Sequence, residues 1–201
     1  MSEHETQMIE AIGADATGLR ATMEWTGDRF CHYIDWVAGD KTFRLLDSVE
    51  GDDKTEWPPS PAVQQLSVER RTQMRSVGLL VGMAGNSHWS ISVENDPPQR
   101  LLIFDVACRV AGDPGPLGSQ YKSRVPIKII DPIEKIAECS VAGRKCYIQI
   151  ESTGRGEVDQ LDVKGLDVNI TPTEDPESVS YTHLRAHETL RYLVCRRLLE
   201  K

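Results

Sequence analysis

Three polar side chains follow two closely spaced glycines in residues 82–88, which read GMAGNSH. Gly82 and Gly85 can adopt positive φ angles, and Asn86, Ser87 and His88 would bring an amide, a hydroxyl and an imidazole to one loop. Such a loop can bind a small ligand or a partner protein. It has neither a G-x-S-x-G elbow nor a lysine after its glycines. Because Gly, Asn and Ser are also the common turn residues, a purely structural hairpin turn is the favoured interpretation.

A second set of residues would form a metal site or a Cys/His nucleophile if two hairpins packed face to face. It comprises Cys31, His32, His88 and Cys108, whose thiols and imidazoles can bind zinc or act as nucleophile and base. The alternative is that these side chains fill the core. Asp105 interrupts an apolar run and is the candidate acid, either buried beside an arginine or facing solvent. No metal and no cofactor is predicted.

A predicted central hairpin, residues 77–110, positions the loop and the second set's His88 and Cys108, whereas Cys31 and His32 lie in an earlier hairpin. Residues 77–81 are apolar, and Trp89, Ile91 and Val93 then alternate with polar residues, as in a half-buried strand. NDPPQ must turn, because its prolines fix φ and remove ladder donors. The returning run LLIFDVACRV is apolar enough to predict a strand in the middle of a sheet.

Short alternating segments separated by turn residues continue through the rest of the chain. About ten such strands predict a single all-β domain over residues 19–178, an antiparallel β-sandwich or open barrel, after a flexible segment 1–18. A hairpin about Ala142-Gly143 would place Cys139 opposite Cys146. The other predicted elements are strands at 19–25, 29–37, 42–49, 62–69, 121–130, 158–163 and 166–171 and a helical turn at 133–137.

The composition limits the compartment and the partners. With 201 residues, of which 39% are hydrophobic, the chain can bury an ordinary core. A net charge of -8 without a basic cluster before residue 179 argues against nucleic acid and anionic membranes as partners. The N-terminus lacks a signal-peptide pattern, which predicts a cytoplasmic protein whose five cysteines are thiols.

Three stretches resemble known sequences. WPPSPAVQQLSVE, VGLLVGMAGNSHWSISVE and FDVACRV are similar to stretches of an uncharacterised bacterial family of hypothetical proteins, over roughly residues 25–125. The resemblance implies no substrate, cofactor or catalytic residue. The function predicted from the residues is therefore a non-catalytic domain that binds a small ligand or partner protein through residues 82–88. A Cys/His or metal-dependent enzyme is the alternative.

Residues 179–201 resemble no natural protein segment. VSYTHLRAHET is similar to one reading frame of the transposase-derived adapter used in sequencing libraries, and YLVCR and LLEK continue the match after a variable index. Arg197 departs from the expected leucine. The segment would form an amphipathic helix with His183 and His187 four residues apart, but the adapter interpretation makes that helix and its histidine pair artefactual.

If the adapter interpretation is correct, deleting residues 179–201 will not destabilise the protein. A docked natural helix would stabilise the fold by about 1.5 to 3 kcal/mol for each buried leucine, whereas an adapter-encoded tail has no surface to match. Thermal unfolding of chains ending at Ser178 and Lys201 is the measurement, with an equal or higher midpoint expected for the shorter chain. A clearly lower midpoint for the shorter chain would show that the segment is native.

Overall fold

The structure, a computed structural model, describes residues 5–110, 115–150 and 160–171. In these ranges the chain forms fourteen β-strands, one 3₁₀ turn at Pro97–Gln99 and no α-helix, and every strand pairing is antiparallel. The all-β prediction is confirmed. The strands are β1 Gln7–Ile12, β2 Thr17–Trp25, β3 Phe30–Ala38, β4 Lys41–Ser48, β5 Gln65–Arg70, β6 Ser76–Ala84, β7 Ser87–Asp96, β8 Leu101–Val110, β9 Ser119–Ser123, β10 Ile127–Asp131, β11 Ile136–Val141, β12 Arg144–Gln149, β13 Gln160–Lys164 and β14 Asp167–Thr171.

These strands form three open sheets. The largest has seven strands in the order β1-β2-β3-β4-β9-β14-β13, the second has β5-β6-β7-β8 and the third β10-β11-β12. The strands predicted at 19–25, 29–37 and 42–49 are confirmed as β2, β3 and β4, which are consecutive neighbours in the large sheet. The single strand predicted at 121–130 is instead two, because Pro126 has no N–H for a ladder and the chain moves from one sheet to another there.

The central hairpin is confirmed as β6, β7 and β8, with Leu80 opposite Ile91 and Ile91 opposite Val106. The prediction that the last of these strands lies in mid-sheet was wrong. Among the described residues β8 is the last strand of the four-stranded sheet. Its apolar run has another cause: Phe104 and its alternate neighbours are buried in the core, while the face that carries Asp105 is half-covered.

The N-terminal segment differs from the flexible one that was predicted. Residues 7–12 form β1 and pair along their whole length with β2, which buries Ile9 and Ala11. Asn95, at the end of β7, connects β1 to the second sheet. Its Nδ2 donates to the carbonyl of Glu10 at 2.5 Å, and its Oδ1 accepts from the amide of Ser76 at 2.7 Å. The hydrogen bonds of the Asn95 side chain thus hold the edge strand β1 against the second sheet.

The four-stranded sheet packs against the β1 end of the seven-stranded sheet. At Gly78 of β6 the approach is so close that a Cβ atom would lie 2.5 Å from Ile9 Cδ1 and 3.6 Å from Met23 Cε. Trp36, Ile34 and their neighbours on β3 are buried in the same core. All three sheets contribute apolar side chains to this one core cluster.

The third sheet contains the hairpin predicted about Ala142-Gly143. Both turn residues have positive φ angles, 49° and 75°, and Cys139 lies opposite Cys146, so this register is confirmed. The helical turn predicted at 133–137 was wrong, because Ile136 already begins β11. The two strands predicted at 158–163 and 166–171 are confirmed from residue 160 onward as β13 and β14, which pair with each other.

Residues 172–201, and with them His183 and His187, lie outside the described residues. Within the part of the chain that the structure describes, no helix is long and apolar enough to cross a membrane.

Candidate functional site

Residues 82–88 are mainly strand and not the loop that was predicted. Gly82 belongs to β6, Ser87 and His88 belong to β7, and only Gly85 and Asn86 form the turn. Gly85 has a φ angle of 50°, which a two-residue hairpin turn requires at its first position. The ladder therefore continues to the pair formed by Ala84 and Ser87.

The two glycines are explained by close packing. A Cβ atom on Gly82 would lie 2.6 Å from Val63 Cα, because residues 62–64 pass directly over β6. Gln64 fixes this crossing with both ends of its side-chain amide: its Oε1 accepts from the amide of Met83 at 2.8 Å, and its Nε2 donates to the Met83 carbonyl at 3.0 Å. At Gly85 a side chain would collide with Glu56.

Ser87 has a structural role as well. It is fully buried, donates to the Ala84 carbonyl at 2.6 Å and accepts from Trp89 Nε1 at 2.9 Å. These bonds satisfy the indole nitrogen in the core. Of the predicted polar groups, Asn86 and His88 are the ones that remain exposed.

A cavity of about 700 Å³ lies on the outer face of the four-stranded sheet, next to the hairpin turn. Two cross-strand rows form its floor. Met83, His88 and Arg109 are directly opposite one another in one row, and the second row runs from β5 to β8. The residues that line the cavity are Gln64, Gln65, Val81, Gly82, Met83, His88, Trp89, Ser90, Ala107, Cys108 and Arg109.

The floor of this cavity combines exposed apolar groups with basic ones. The side chains of Val81 and Met83 are 45% and 52% exposed, and His88 and Arg109 are exposed beside them. Sequence reasoning found His88 but missed Arg109 and the two apolar residues. The alternation along β6 and β8 was a usable signal, because these residues alternate with those that face the core.

A second cavity, of about 460 Å³, lies on the other side of the hairpin turn. Arg29 lines it, although its side chain is only 3% exposed. The guanidinium donates from Nε to Asp28 Oδ2 at 2.8 Å and from Nη2 to the Asp52 carbonyl at 2.5 Å. The turn before β3 is therefore fixed to the segment that follows β4.

Near Arg29 lies a buried carboxyl group, that of Glu50. Ser48 Oγ donates to Glu50 Oε1 at 2.5 Å and accepts from the amide of His32 at 2.9 Å. Burial raises the pKa of Glu50 to about 7, against the lowering effects of Ser48 and Arg29. Glu50 Oε2 and Arg29 Nη1 are both buried without a hydrogen-bond partner. Burying each of these polar atoms therefore lowers the stability of the folded state.

The candidate Cys/His residues lie on different faces. Cys31 and His32 are consecutive on β3 and so point to opposite sides of the sheet. His88 is exposed on the outer face of β7, whereas Cys108 of β8, opposite Trp89, is buried. No group of three potential metal ligands occurs among the residues that the structure describes.

His32 and Cys31 have buried local environments, and the candidate acid Asp105 is half-buried. His32 is buried, its Nε2 lies 3.0 Å from Tyr121 Oη, and burial lowers its pKa to about 4. Cys31 Sγ lies 3.1 Å from Tyr33 Oη, and burial raises the pKa of its thiol. Asp105 is half-buried on β8, opposite Ser92.

Comparison of the chain with protein-family models, with curated proteins and with solved structures finds no significant match. The resemblance to bacterial proteins therefore stays a prediction. Function has to be argued from the geometry of the site.

Replacing Glu50 by glutamine will stabilise the protein above neutral pH. The folded-state pKa of about 7 lies above the ordinary value of 4.5 for a glutamate in the unfolded chain. Glu50 therefore contributes stability while it is protonated, and this contribution is lost as the pH rises through 7. The variant should gain up to about 3 kcal/mol over the natural protein at pH 8 and little at pH 4.5.

Urea unfolding from pH 4.5 to pH 8 measures this difference, with Glu69→Gln on the exposed face of β5 as the control. The assignment of a buried, proton-binding Glu50 fails if Glu50→Gln and Glu69→Gln show the same pH dependence.

Proposed function

We propose that this protein is a non-catalytic binding module and that the larger cavity, on the outer face of the four-stranded sheet, binds a small anionic amphiphile. The observation that carries the proposal is the row formed by Met83, His88 and Arg109, in which an exposed apolar side chain and two basic ones lie directly opposite one another on three strands. Such a row contacts both ends of a ligand with an apolar body and an anionic group.

The apolar part of the ligand would lie on Val81, Met83 and Ala107. Val81 and Met83 are largely exposed although they belong to a central strand of their sheet. Covering apolar surface of this kind contributes roughly 25 cal/mol per Å². Methionine adapts its shape to a ligand, because its side chain is unbranched and polarizable.

The charge of the ligand follows from the side chains around the cavity. Its lining residues include one arginine and one histidine but no aspartate or glutamate. The chain as a whole has 31 acidic and 23 basic residues. The lining of the cavity, which has no carboxylate, therefore differs from the acidic balance of the whole chain. A guanidinium binds a carboxylate through two parallel hydrogen bonds, which makes Arg109 the expected contact for the anionic group.

The rigidity of the floor supports binding without rearrangement. The lining side chains stand on paired strands, and Gln64 holds residues 62–64 against Met83 by two hydrogen bonds. A preformed site loses little conformational entropy when its ligand binds.

We also propose that the sheets pack as a sandwich. The contact of His32 with Phe104 and the close approach of Gly78 to Ile9 support this arrangement.

The Cys/His alternative is not proposed. Its four residues lie on three strands and point to different faces of their sheets, where no common substrate atom would reach them all.

A chemical-shift titration with three probes tests the proposal: sodium octanoate, 1-octanol and sodium acetate. Octanoate should bind most tightly and shift the amide signals of Val81, Met83, His88 and Arg109, because it alone has both an apolar chain and an anionic group. Arg109→Gln should weaken octanoate binding about tenfold and leave octanol binding unchanged, whereas Met83→Ser should weaken both.

Matched controls come from the far end of the same sheet. Arg70→Gln on β5 and Met74→Ser in the following turn remove an exposed arginine and an exposed methionine remote from the cavity. If these variants weaken octanoate binding as much as the cavity variants do, or if octanoate does not bind at millimolar concentration, the proposed function is refuted.

A further inference from the structure

Two cysteines face each other across the hairpin of the third sheet. The two-residue turn at Ala142-Gly143 sets the register of β11 and β12, and Cys139 and Cys146 are directly opposite partners in it. Residues directly opposite in an antiparallel pair have Cα atoms about 4.5 or 5.5 Å apart, depending on the pair type. Both values lie within the range of about 4.4 to 6.8 Å that a disulfide requires.

Both side chains point into the core. Cys139 is 6% exposed and Cys146 is 4% exposed, and neither is in a disulfide. The neighbours on the same face of the hairpin, Ala137, Val141 and Ile148, are apolar and buried in the same cluster. A disulfide between the two sulfurs would therefore connect two strands that are already paired, without moving a charged group into the core.

The two thiols also interact with each other. A hydrogen bond from Cys146 lowers the pKa of the Cys139 thiol, although burial and the nearby Glu138 oppose this effect. A lowered pKa increases the fraction of thiolate, the form that reacts with oxidants. Cys31 shows the opposite behaviour, because burial raises the pKa of its thiol.

The other described cysteines lie opposite residues of other types. Cys31 lies opposite Glu24, and Cys108 lies opposite Trp89. Among the described residues, Cys139 and Cys146 are thus the one pair of cysteines placed opposite each other.

We infer that Cys139 and Cys146 are a reversible redox pair, oxidised by a hydroperoxide to a disulfide that joins β11 to β12. The Cys139 thiolate attacks the terminal oxygen of the hydroperoxide, and the O–O bond breaks to give a sulfenic acid and, after protonation, an alcohol or water. The Cys146 sulfur then attacks the sulfenic sulfur, so that the S–S bond forms and the oxygen leaves as water. Two thiols lose two hydrogen atoms in all, and a dithiol reductant restores them.

This pair is independent of the proposed ligand site, because it lies on a different sheet. Oxidation should raise the midpoint of thermal unfolding, since the disulfide restricts the unfolded chain at residues already adjacent in the folded state. Ligand binding in the cavity beside residues 82–88 should not change.

Peptide mapping of the natural protein tests the inference without any variant. After treatment with hydrogen peroxide and then a thiol-blocking reagent, trypsin cleaves after Arg144 and Lys145, between the two cysteines. The peptide that contains Cys139 and the one that begins at Cys146 should then be recovered joined, lighter by two hydrogen atoms than their sum. Treatment with dithiothreitol should separate them.

Two variants add a control for the order of reaction. In Cys146→Ser, peroxide should leave a sulfenic acid on Cys139 that a sulfenic-acid reagent labels, whereas in Cys31→Ser the joined peptides should still form. The inference is overturned if peroxide joins the natural protein into disulfide-linked dimers in place of the internal link. It is also overturned if Cys139 and Cys146 are both blocked by the thiol reagent after oxidation.

Discussion

His32 lies where the seven-stranded sheet faces the four-stranded sheet, and its imidazole contacts side chains from two other strands. Its Nε2 lies 3.0 Å from Tyr121 Oη of β9, and its ring centroid lies 5.6 Å from that of Phe104 of β8. Protonating this imidazole costs free energy in the folded state, because burial lowers its pKa to about 4. The fold therefore depends on His32 remaining neutral.

This burial links the fold to pH. Between the ordinary pKa of about 6.5 and the folded value of about 4, the unfolded chain binds a proton that the folded chain does not. The contribution of His32 to stability is complete above 6.5 and is lost as the pH falls toward 4. Glu50 acts in the opposite direction over a similar range, because burial raises its pKa to about 7. Ser48 Oγ donates to the Glu50 carboxyl group and accepts from the backbone amide of His32, so it connects the two residues without contacting the imidazole.

Much of the fold followed from local alternation. The strands that became β2 and β7 were recognisable because polar and apolar residues alternate in them, and β6 because residues 77–81 are apolar. The Ala142-Gly143 turn predicted the register that places Cys139 opposite Cys146. In β1 the inward residues are Ile9 and Ala11, but the apolar Met8 is exposed beside them, so the sequence lacks a clear alternation and the strand was missed. The position of β8 at the end of its sheet depends on which strands pair, and local sequence does not determine that.

The candidate site was predicted only in part, for the same reason. Residues 82–88 do lie beside the cavity, but the sequence could not show that residues 62–64 cross over Gly82 and explain its lack of a side chain. Arg109 became a candidate only once the register placed it opposite His88. The Cys31 and His32 pair could have been excluded from the start, since consecutive strand residues point to opposite faces.

An NMR titration of the His32 imidazole measures whether the sheets enclose an uncharged His32 in one shared core. Comparison with His32→Gln assigns the resonance. We expect a midpoint near the folded pKa of about 4 and no protonation at pH 6, with a return to about 6.5 when the protein is unfolded in urea. A midpoint of about 6.5 in the folded protein would contradict this enclosure, because His32 would then be in contact with water and the two sheets would not close around it.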